Sequence, residues 1–523
     1  MSKESDSNSK HFSDAANMKA HFADPPVEFG NGPLWVWNDL ITDEHIQSTL
    51  ADLAAQGIGQ VVLHPRPGLM TPYLSDEWFR LWKVALREAE KLDILIWIYD
   101  ENSYPSGFAG GFVVEAIPES RGQGLHFSEV SQPEELGDDV FAVFRLTEDG
   151  SENVTEAVHS GKSQESGKYL AVNRVFAARR SWHAGKYYVD LLMPGVTEKF
   201  IEVTFDAYRR EIGEHFGKRV LGIFTDEPHL SPAEFSDRPE MELIEQIHWS
   251  DHLPQEFERR WGYGLVESFP SLVRRVGDWK RVRHNFYQLL LELFIDRWSK
   301  PCSTFCEENG LEFTGHYWEH GWPDSSHGPD SMAMYAWHQR PAIDNLMNEY
   351  SDRVDGQFGN ARMGRELASV ANQLGRRRTL CESYGAGGWD LRMEDMKRIG
   401  DWLFVTGVNT LNEHLSHVSI RGSRKRDHPQ SFSYHEPWWE AYHLNSQYFT
   451  RMSLALSSGE QVNHVLLIQP TTTAWMYQPE LESRPHLDDL GDSFQDLINR
   501  LEQEQVEYDI GCENIIADHG RTD

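Results

Sequence analysis

The 523-residue chain carries 82 Asp and Glu against 49 Lys and Arg, a formal net charge of −33. So few cations exclude the phosphate-neutralising surface of a nucleic-acid binder and argue against adhesion to anionic membranes. The length exceeds one ordinary core but suits a barrel with insertions, and 39% hydrophobic residues with 18 Trp fit a globular enzyme. Flat apolar rings often meet sugars, although burial in the core accounts for most Trp. The four cysteines, Cys302, Cys306, Cys381 and Cys512, form no metal box and suggest a reduced compartment. The first residues, MSKESDSNSK, lack a signal-peptide core, and no run reaches the roughly 18 apolar residues of a membrane span. A cytoplasmic location is expected.

Residues 1–30 read as a loose polar leader. A buried strand is predicted at 33–39 (PLWVWND), then a helix capped by Thr42 with Ile46, Leu50 and Leu53 on one face. A second strand, 60–64 (QVVLH), precedes a helix capped by Ser75 with Phe79, Trp82, Leu86 and Ala89 inward; a third strand is 94–101 (ILIWIYDE). This alternation is that of a parallel sheet. The rhythm breaks at 117–193, read as a β-rich insertion with strand-like runs at 140–146 and 186–192. A helix bearing Phe200, Tyr208, Ile212 and Phe216 leads to strand four at 220–225, and a second, lid-like insertion spans 229–280. A long helix over 281–308 should kink or restart at Pro301. Strands five to eight are placed at 311–317, 342–345, 378–382 and 408–412, with helices at 360–375 and 391–405 between the last three. Eight such strands predict a (β/α)₈ TIM barrel over 31–458. A helix at 438–456, a strand at 462–468 and a helix at 487–504 predict the start of a second α/β domain, Rossmann- or flavodoxin-like, over 459–523; such a domain would need more chain to close.

Four apolar runs end in carboxylate: 94–101 at Asp100-Glu101, 220–228 (VLGIFTDEP) at Asp226-Glu227, 311–320 (LEFTGHYWEH) at Glu319, and 378–388 (RTLCESYGAGG) at Glu382, before three glycines. In a TIM barrel these ends share the face where active sites lie. That face also receives Asp39, His64, Arg66, Asp344, Glu413 and His414. Glycoside hydrolysis needs two carboxyl groups across one bond, one protonated and one ionised. Glu227 and Glu382 are the predicted pair, with Glu319 a third candidate. Neighbouring Asp226 and Glu227 should point apart on a continuing strand, so one faces the pocket and the other supports it. Asp100-Glu101 poses the same choice. Substrate contacts are expected from His64, Arg66, Asp100, Glu101, His316, Trp318, Asp344 and His414. His316, His320, His414 and His417 raise a zinc reading, but the first strand reads Trp35-Val36-Trp37 where metal-dependent amidohydrolase barrels carry His-x-His. Calcium among oxygen ligands would relieve the crowding of acids. There is no nucleophile elbow or phosphate loop, and GFAGG at 107–111 lacks dinucleotide spacing, so no organic cofactor is expected. The basic run RGSRKR at 421–426 reads as a solvated loop, with contact to an acidic sugar the lesser reading.

WVWND, IYDENSYPSGFAGG, FTDEP, CESYGAGG and LNEHLSH together resemble the α-L-rhamnosidases of glycoside hydrolase family 106 over roughly 31–470, outside the β-rich insertion. The resemblance implies a (β/α)₈ catalytic domain, inversion by a pair of glutamates and a calcium ion that helps hold sugar hydroxyls. It carries over Glu227 from FTDEP, Glu319 from HYWEH and Glu382 from CESYG as acid, base and cation-linked candidates, in no fixed order. Asp226, Glu319 and Glu413 are the expected calcium ligands. The family's members are commonly longer, with β-sandwich domains after the barrel. Two alternatives stand beside an inverting α-L-rhamnosidase: a retaining hydrolase resembling β-galactosidase barrels, and a non-catalytic carbohydrate-binding protein. The partner in every case is a glycoside or saccharide, with neither nucleic acid nor membrane.

Overall fold

A computed structural model describes residues 15–521, except 133–135, 137–139, 149, 163–165, 231–245, 347–348, 355, 357–358, 429 and 480–482. Strands β1 (Leu34–Trp37), β2 (Gln60–Pro65) and β3 (Leu95–Tyr99) lie side by side and parallel, separated by the two helices whose Thr42 and Ser75 hydroxyls accept the first-turn amides of His45 and Trp78. The chain then leaves the barrel for β4 (Gln123–Val130), β5 (Ala142–Leu146), β6 (Ser151–Asn153) and β7 (Lys168–Phe176), which form an antiparallel sheet. It returns as β8 (Val220–Asp226). Strand β9 (Gln246–Trp249) joins the edge of that sheet beside β4. The barrel continues with β10 (Glu312–His316), β11 (Arg340–Asn345), β12 (Leu380–Ser383), β13 (Leu411–Glu413) and β14 (Ser416–His417).

The barrel strands run in the order β13-β12-β11-β10-β8-β3-β2-β1-β14, all parallel. β13 and β14 are successive pieces of one eighth strand. The first pairs with β12 and the second with β1, and the Gly32 amide donates to the Leu411 carbonyl at 3.0 Å, which closes the ring.

Side-chain alternation sorts each strand between two cores. Leu34, Val36, Val62, Trp97, Tyr99, Phe224, Ala342, Leu380 and Leu415 form an apolar plug inside the barrel. Their neighbours, Trp35, Trp37, Leu63, Ile98, Ile223, Ile343 and Cys381 among them, pack outward against the helices. One step of two residues beyond the plug, the same inward rows carry His64, Asp226, Asp344 and Glu382, with His316 beside Asp226 in register. The barrel thus lays a titratable ring directly on its apolar interior.

Several expectations are corrected. The run at 186–192 is no strand; only an isolated bridge joins Val189 to Arg121. The two insertions do not stand apart, because β9 of the second completes the sheet of the first. Residues 231–245 of the expected lid, and 1–14 of the expected leader, lie outside the described residues. The long helix is Trp279–Phe294 and Lys300–Glu308 joined by a π turn at Ile295–Ser299. Pro301 falls in the first turn of the second piece, where its missing N–H costs least. The eighth strand begins three residues later than expected. After the barrel, β15 (Leu466–Ile468) and β16 (Asp509–Gly511) form a parallel pair. They dock on helix Ala361–Gln373 near the Arg365–Glu502 ion pair (2.6 Å) and the Gln469–Glu366 hydrogen bond (2.6 Å). No helix among the described residues is long and apolar enough to cross a membrane.

Strands β8 and β10 approach too closely for side chains at their glycines. A Cβ on Gly315, at φ +129°, would meet the Thr225 carbonyl oxygen at 1.9 Å. Gly315→Ala is expected to cost about 3 kcal/mol through backbone strain and displacement of β10, read as a lowered denaturation midpoint in a chemical melt.

Candidate active site

His316 ends β10 in the middle of the ring. Its Nε2 lies 2.7 Å from Glu382 Oε2 and 3.9 Å from Asp226 Oδ1, and its Nδ1 lies 3.9 Å from Glu227 Oε1. Both halves of the Asp226-Glu227 pair therefore reach the pocket. Glu227 lies beyond the strand end at φ +45°, in the left-handed region, which releases its side chain from the alternation that would have turned it away.

Glu382 is gripped on both sides, for His414 Nε2 lies 3.2 Å from its Oε1. The same His414 nitrogen is 3.2 Å from Asp427 Oδ2, and Asp427 accepts from Arg66 Nη1 at 2.6 Å. Arg66 Nε donates to His64 Nε2 at 2.9 Å, and Arg66 Nη2 lies 3.9 Å from Asp226. Tyr99 donates to Asp226 Oδ2 at 2.6 Å and stacks on His64. Glu227 has a different environment: its Oε2 accepts from the phenol of Tyr104.

The remaining expected residues fall into two sets. Asp344 is at the ring, and its Oδ1 is buried with no partner. Glu319 stands behind it, accepting from Tyr335 (2.6 Å) and from the Asp344 amide (2.6 Å). Trp318 stacks face to face on His327. Asp100 and Glu101 turn away from the pocket. Asp100 accepts from Ser106 (2.6 Å). Glu101 accepts from the backbone amides of Asn102, Gly107, Phe108, Ala109 and Gly110, so the glycine-rich segment is wound around this carboxylate. Glu413 also faces outward, because it pairs in register with Ser383 while Glu382 and Asn412 face in; it accepts from Tyr442 (2.6 Å) and Asn31.

Asp226, Glu319 and Glu413 hence do not converge on one point. The groups that do, each with ligand atoms within 4.8 Å of one another, are Asp226, His316 and Glu382, and Glu227, His320 and Asp344.

Burial pushes Glu227, Asp344, Asp226 and Glu319 upward, Glu227 and Asp344 furthest. Burial also acts to raise Glu382, but the charge of His414 and the hydrogen bond from His316 outweigh it and hold this carboxyl below its ordinary value. His316 is depressed by burial and raised further by its bond to Glu382 and by the surrounding acids, so it ends well above the ordinary histidine value as an imidazolium. Burial, with Arg66 next, keeps His64 neutral, as an acceptor must be.

Tyr104, Tyr99, Tyr335 and Asp427 were not singled out from sequence. The tyrosines lie within the acid-bearing motifs, whose carboxylates drew the reading. Asp427 follows RGSRKR directly; residues 421–423 of that run are exposed as a solvated loop would be, and 424–426 are half-buried in a strap where Asn38 Nδ2 donates to the carbonyls of Ser419 (2.7 Å) and Arg424 (2.9 Å) and Asp427 reaches into the pocket.

An eight-stranded parallel barrel with buried carboxyl groups gathered at the carboxyl ends of its strands is an arrangement used by two-carboxylate glycoside hydrolases. The family model for alpha-L-rhamnosidases matches residues 178–503, and the chain belongs to this family, glycoside hydrolase family 106. The match takes in strands β8 to β14 and leaves out β1 to β3. A rhamnosidase from Novosphingobium sp. PP1Y superposes with a TM-score of 0.60 at 17% identity, over 86% of this chain and 61% of that one. A β-galactosidase from Marinomonas ef1 superposes with a TM-score of 0.54 at 9% identity, over 92% and 69%. These likenesses show the fold. A curated protein named "Putative beta-glucuronidase" from Formosa agariphila is 25% identical over 234 residues, 42% of this chain and 18% of its own length. The chain thus spans less than two thirds of both the rhamnosidase and the curated relative.

Asp427 contributes through its ionised form. The charges of His414 and Arg66 outweigh its burial and hold it well below the usual carboxylate range. Its stabilising contribution is complete above the unfolded-state value and disappears as pH falls through the folded-state value. Asp427→Asn is expected to cost about 2 kcal/mol near neutral pH by stranding Arg66, with the difference from wild type shrinking on acidification, measured by denaturant melts across pH.

Proposed function

We propose that the chain is a glycosidase acting on α-L-rhamnosides or a closely similar sugar, with Glu227 as general acid and Glu382 as general base. The observation that carries this is the unequal company of the two glutamates around one imidazolium. Glu382 receives two histidine nitrogens, at 2.7 and 3.2 Å, whereas Glu227 receives one phenol and only a distant histidine contact. Environments that push two carboxyl groups apart in this way mark the ionised and the protonated partner. Glu227 can then protonate the glycosidic oxygen while Glu382 takes a proton from the attacking water. Asp344 and Arg66 line the space between them, and Glu319 positions Asp344 through its amide.

Glu227 and Glu382 lie on opposite nitrogens of His316, which bounds their oxygen separation at about 9 Å, within reach of the roughly 6.5–9.5 Å of inverting enzymes and without excluding the roughly 5–5.5 Å of retaining ones. We take inversion as the reading, following the family. The calcium expected from the family is proposed at Asp344 rather than at Glu413, because Asp344 gathers with Glu227 and His320, their ligand atoms within 4.8 Å of one another, whereas Glu413 faces out of the pocket. Water and sugar hydroxyls would complete the six to eight oxygens such an ion takes. When bound, the ion would orient sugar hydroxyls. A chelator is expected to weaken rhamnose affinity in calorimetry, with calcium restoring it, and Asp344→Asn should abolish that calcium response.

Glu382→Gln and Glu227→Gln are each expected to lower kcat about a thousandfold, the latter less on aryl rhamnosides whose phenol leaves without protonation. NMR should show the released sugar first in the inverted configuration; the retained anomer would favour the β-galactosidase-like mechanism, and undiminished rates in both variants would sink the assignment. Activity should fall on the acid side as Glu382 gains its proton, below the ordinary glutamate value, and on the alkaline side as Glu227 loses its own, above that value. Tyr104 donates to the ionised form of Glu227 and so holds its pKa down. Tyr104→Phe should therefore move the alkaline limb to higher pH, read from kcat/KM profiles.

A further inference from the structure

We propose that Trp182, supplied by the β-rich insertion, is the platform of a leaving-group subsite that takes a second pyranose ring, so that the protein acts on disaccharides and longer saccharides. The inference rests on Glu227 being the general acid, since the leaving group must lie on the acid's side.

Trp182 belongs to the segment that carries the chain from the inserted sheet back to the barrel, yet it sits at the pocket. Its ring meets Tyr104 edge-on at 6.0 Å, and Tyr104 is the residue whose hydroxyl binds Glu227. The guanidinium of Arg66 lies 5.9 Å from the ring centroid, and Arg66 in turn faces Asp226. The backbone carbonyl of Trp182 accepts from the Ser103 hydroxyl, which ties the segment to the loop wound around Glu101. The indole is thereby fixed beside the acid by three separate contacts. It is nevertheless 39% exposed, whereas Arg66 is 3% and Glu227 is 5% exposed. Leaving that much indole in water is unfavourable, and a flat apolar face held rigid at the edge of a polar pocket suits the C–H face of a pyranose. Tyr104, itself half-buried, supplies a second wall at a steep angle to the first. The inserted module thus acts in substrate selection, while bond cleavage remains with the barrel.

The test compares two substrates of the same sugar: α-L-rhamnosyl fluoride, whose leaving group has no ring, and a rhamnosyl disaccharide. Trp182→Ala should lower kcat/KM on the disaccharide about tenfold, mainly through KM, with the fluoride unaffected, and Trp182→Phe should restore most of the loss. An equal fall on both substrates, or none on the disaccharide, would overturn the subsite. A wild-type protein that cleaves neither would overturn the glycosidase reading, and this inference with it; rapid hydrolysis of the fluoride with an unaltered disaccharide response would overturn the subsite alone.

Discussion

The charge on His316 is what makes the pocket tenable. Asp226, Glu227, Glu319, Asp344 and Glu382 are all buried at one end of the barrel, and each has its pKa lowered by this single imidazolium against the effect of burial. Several ionised carboxylates cannot share a low-dielectric space unaided. With one central cation the repulsion resolves unevenly: the acid with the closest imidazoles, Glu382, stays ionised, and those farther off favour the proton. The difference between the two candidate glutamates therefore follows from distances to a common neighbour. Gly315, which lets β10 lie against β8, is part of the same device because it sets where the imidazole stands.

The barrel was legible because its signals are local and repeated. Alternating apolar runs and amphipathic helices give the parallel order, and the strand ends named for β1 to β3, β8 and β10 to β12 are within a few residues of those observed. The placement of Glu227, Glu382, Glu319, His316 and Asp344 at one end follows from the same periodicity. Sequence could not show which face of a strand end a residue takes once the strand stops. Glu227 turns inward through a positive φ, while Glu413 and Asp100 turn outward by ordinary alternation. Glu101, whose orientation the sequence leaves open, is settled by contacts beyond its strand: the amides of Phe108, Ala109 and Gly110 close around its carboxylate.

Long-range contacts account for the rest. Asp427 lies 361 residues from Arg66 in the chain, and nothing in RGSRKRDHP marks its aspartate as the one that reaches Arg66 and His414. The joining of β9 to β4 spans an excursion through barrel strand β8, which a reading in chain order separates into two insertions.

The inserted module and the strap meet at Arg66, whose guanidinium binds Asp427 at 2.6 Å and lies 5.9 Å from the Trp182 ring, and they attach differently. The strap enters by charge, with Asp427 between Arg66 and His414 near Glu382. The insertion enters by rings and a backbone carbonyl, with Trp182 against Tyr104 near Glu227. An ion pair fixes proton positions, and an aromatic surface would bind without competing for those protons. A two-carboxylate reaction needs this asymmetry: the water side must hold a base ionised, and the leaving-group side must accept a bulky neutral ring while keeping its acid protonated. The barrel strand ends supply the two candidate glutamates, and the loops that depart from them give each its different company.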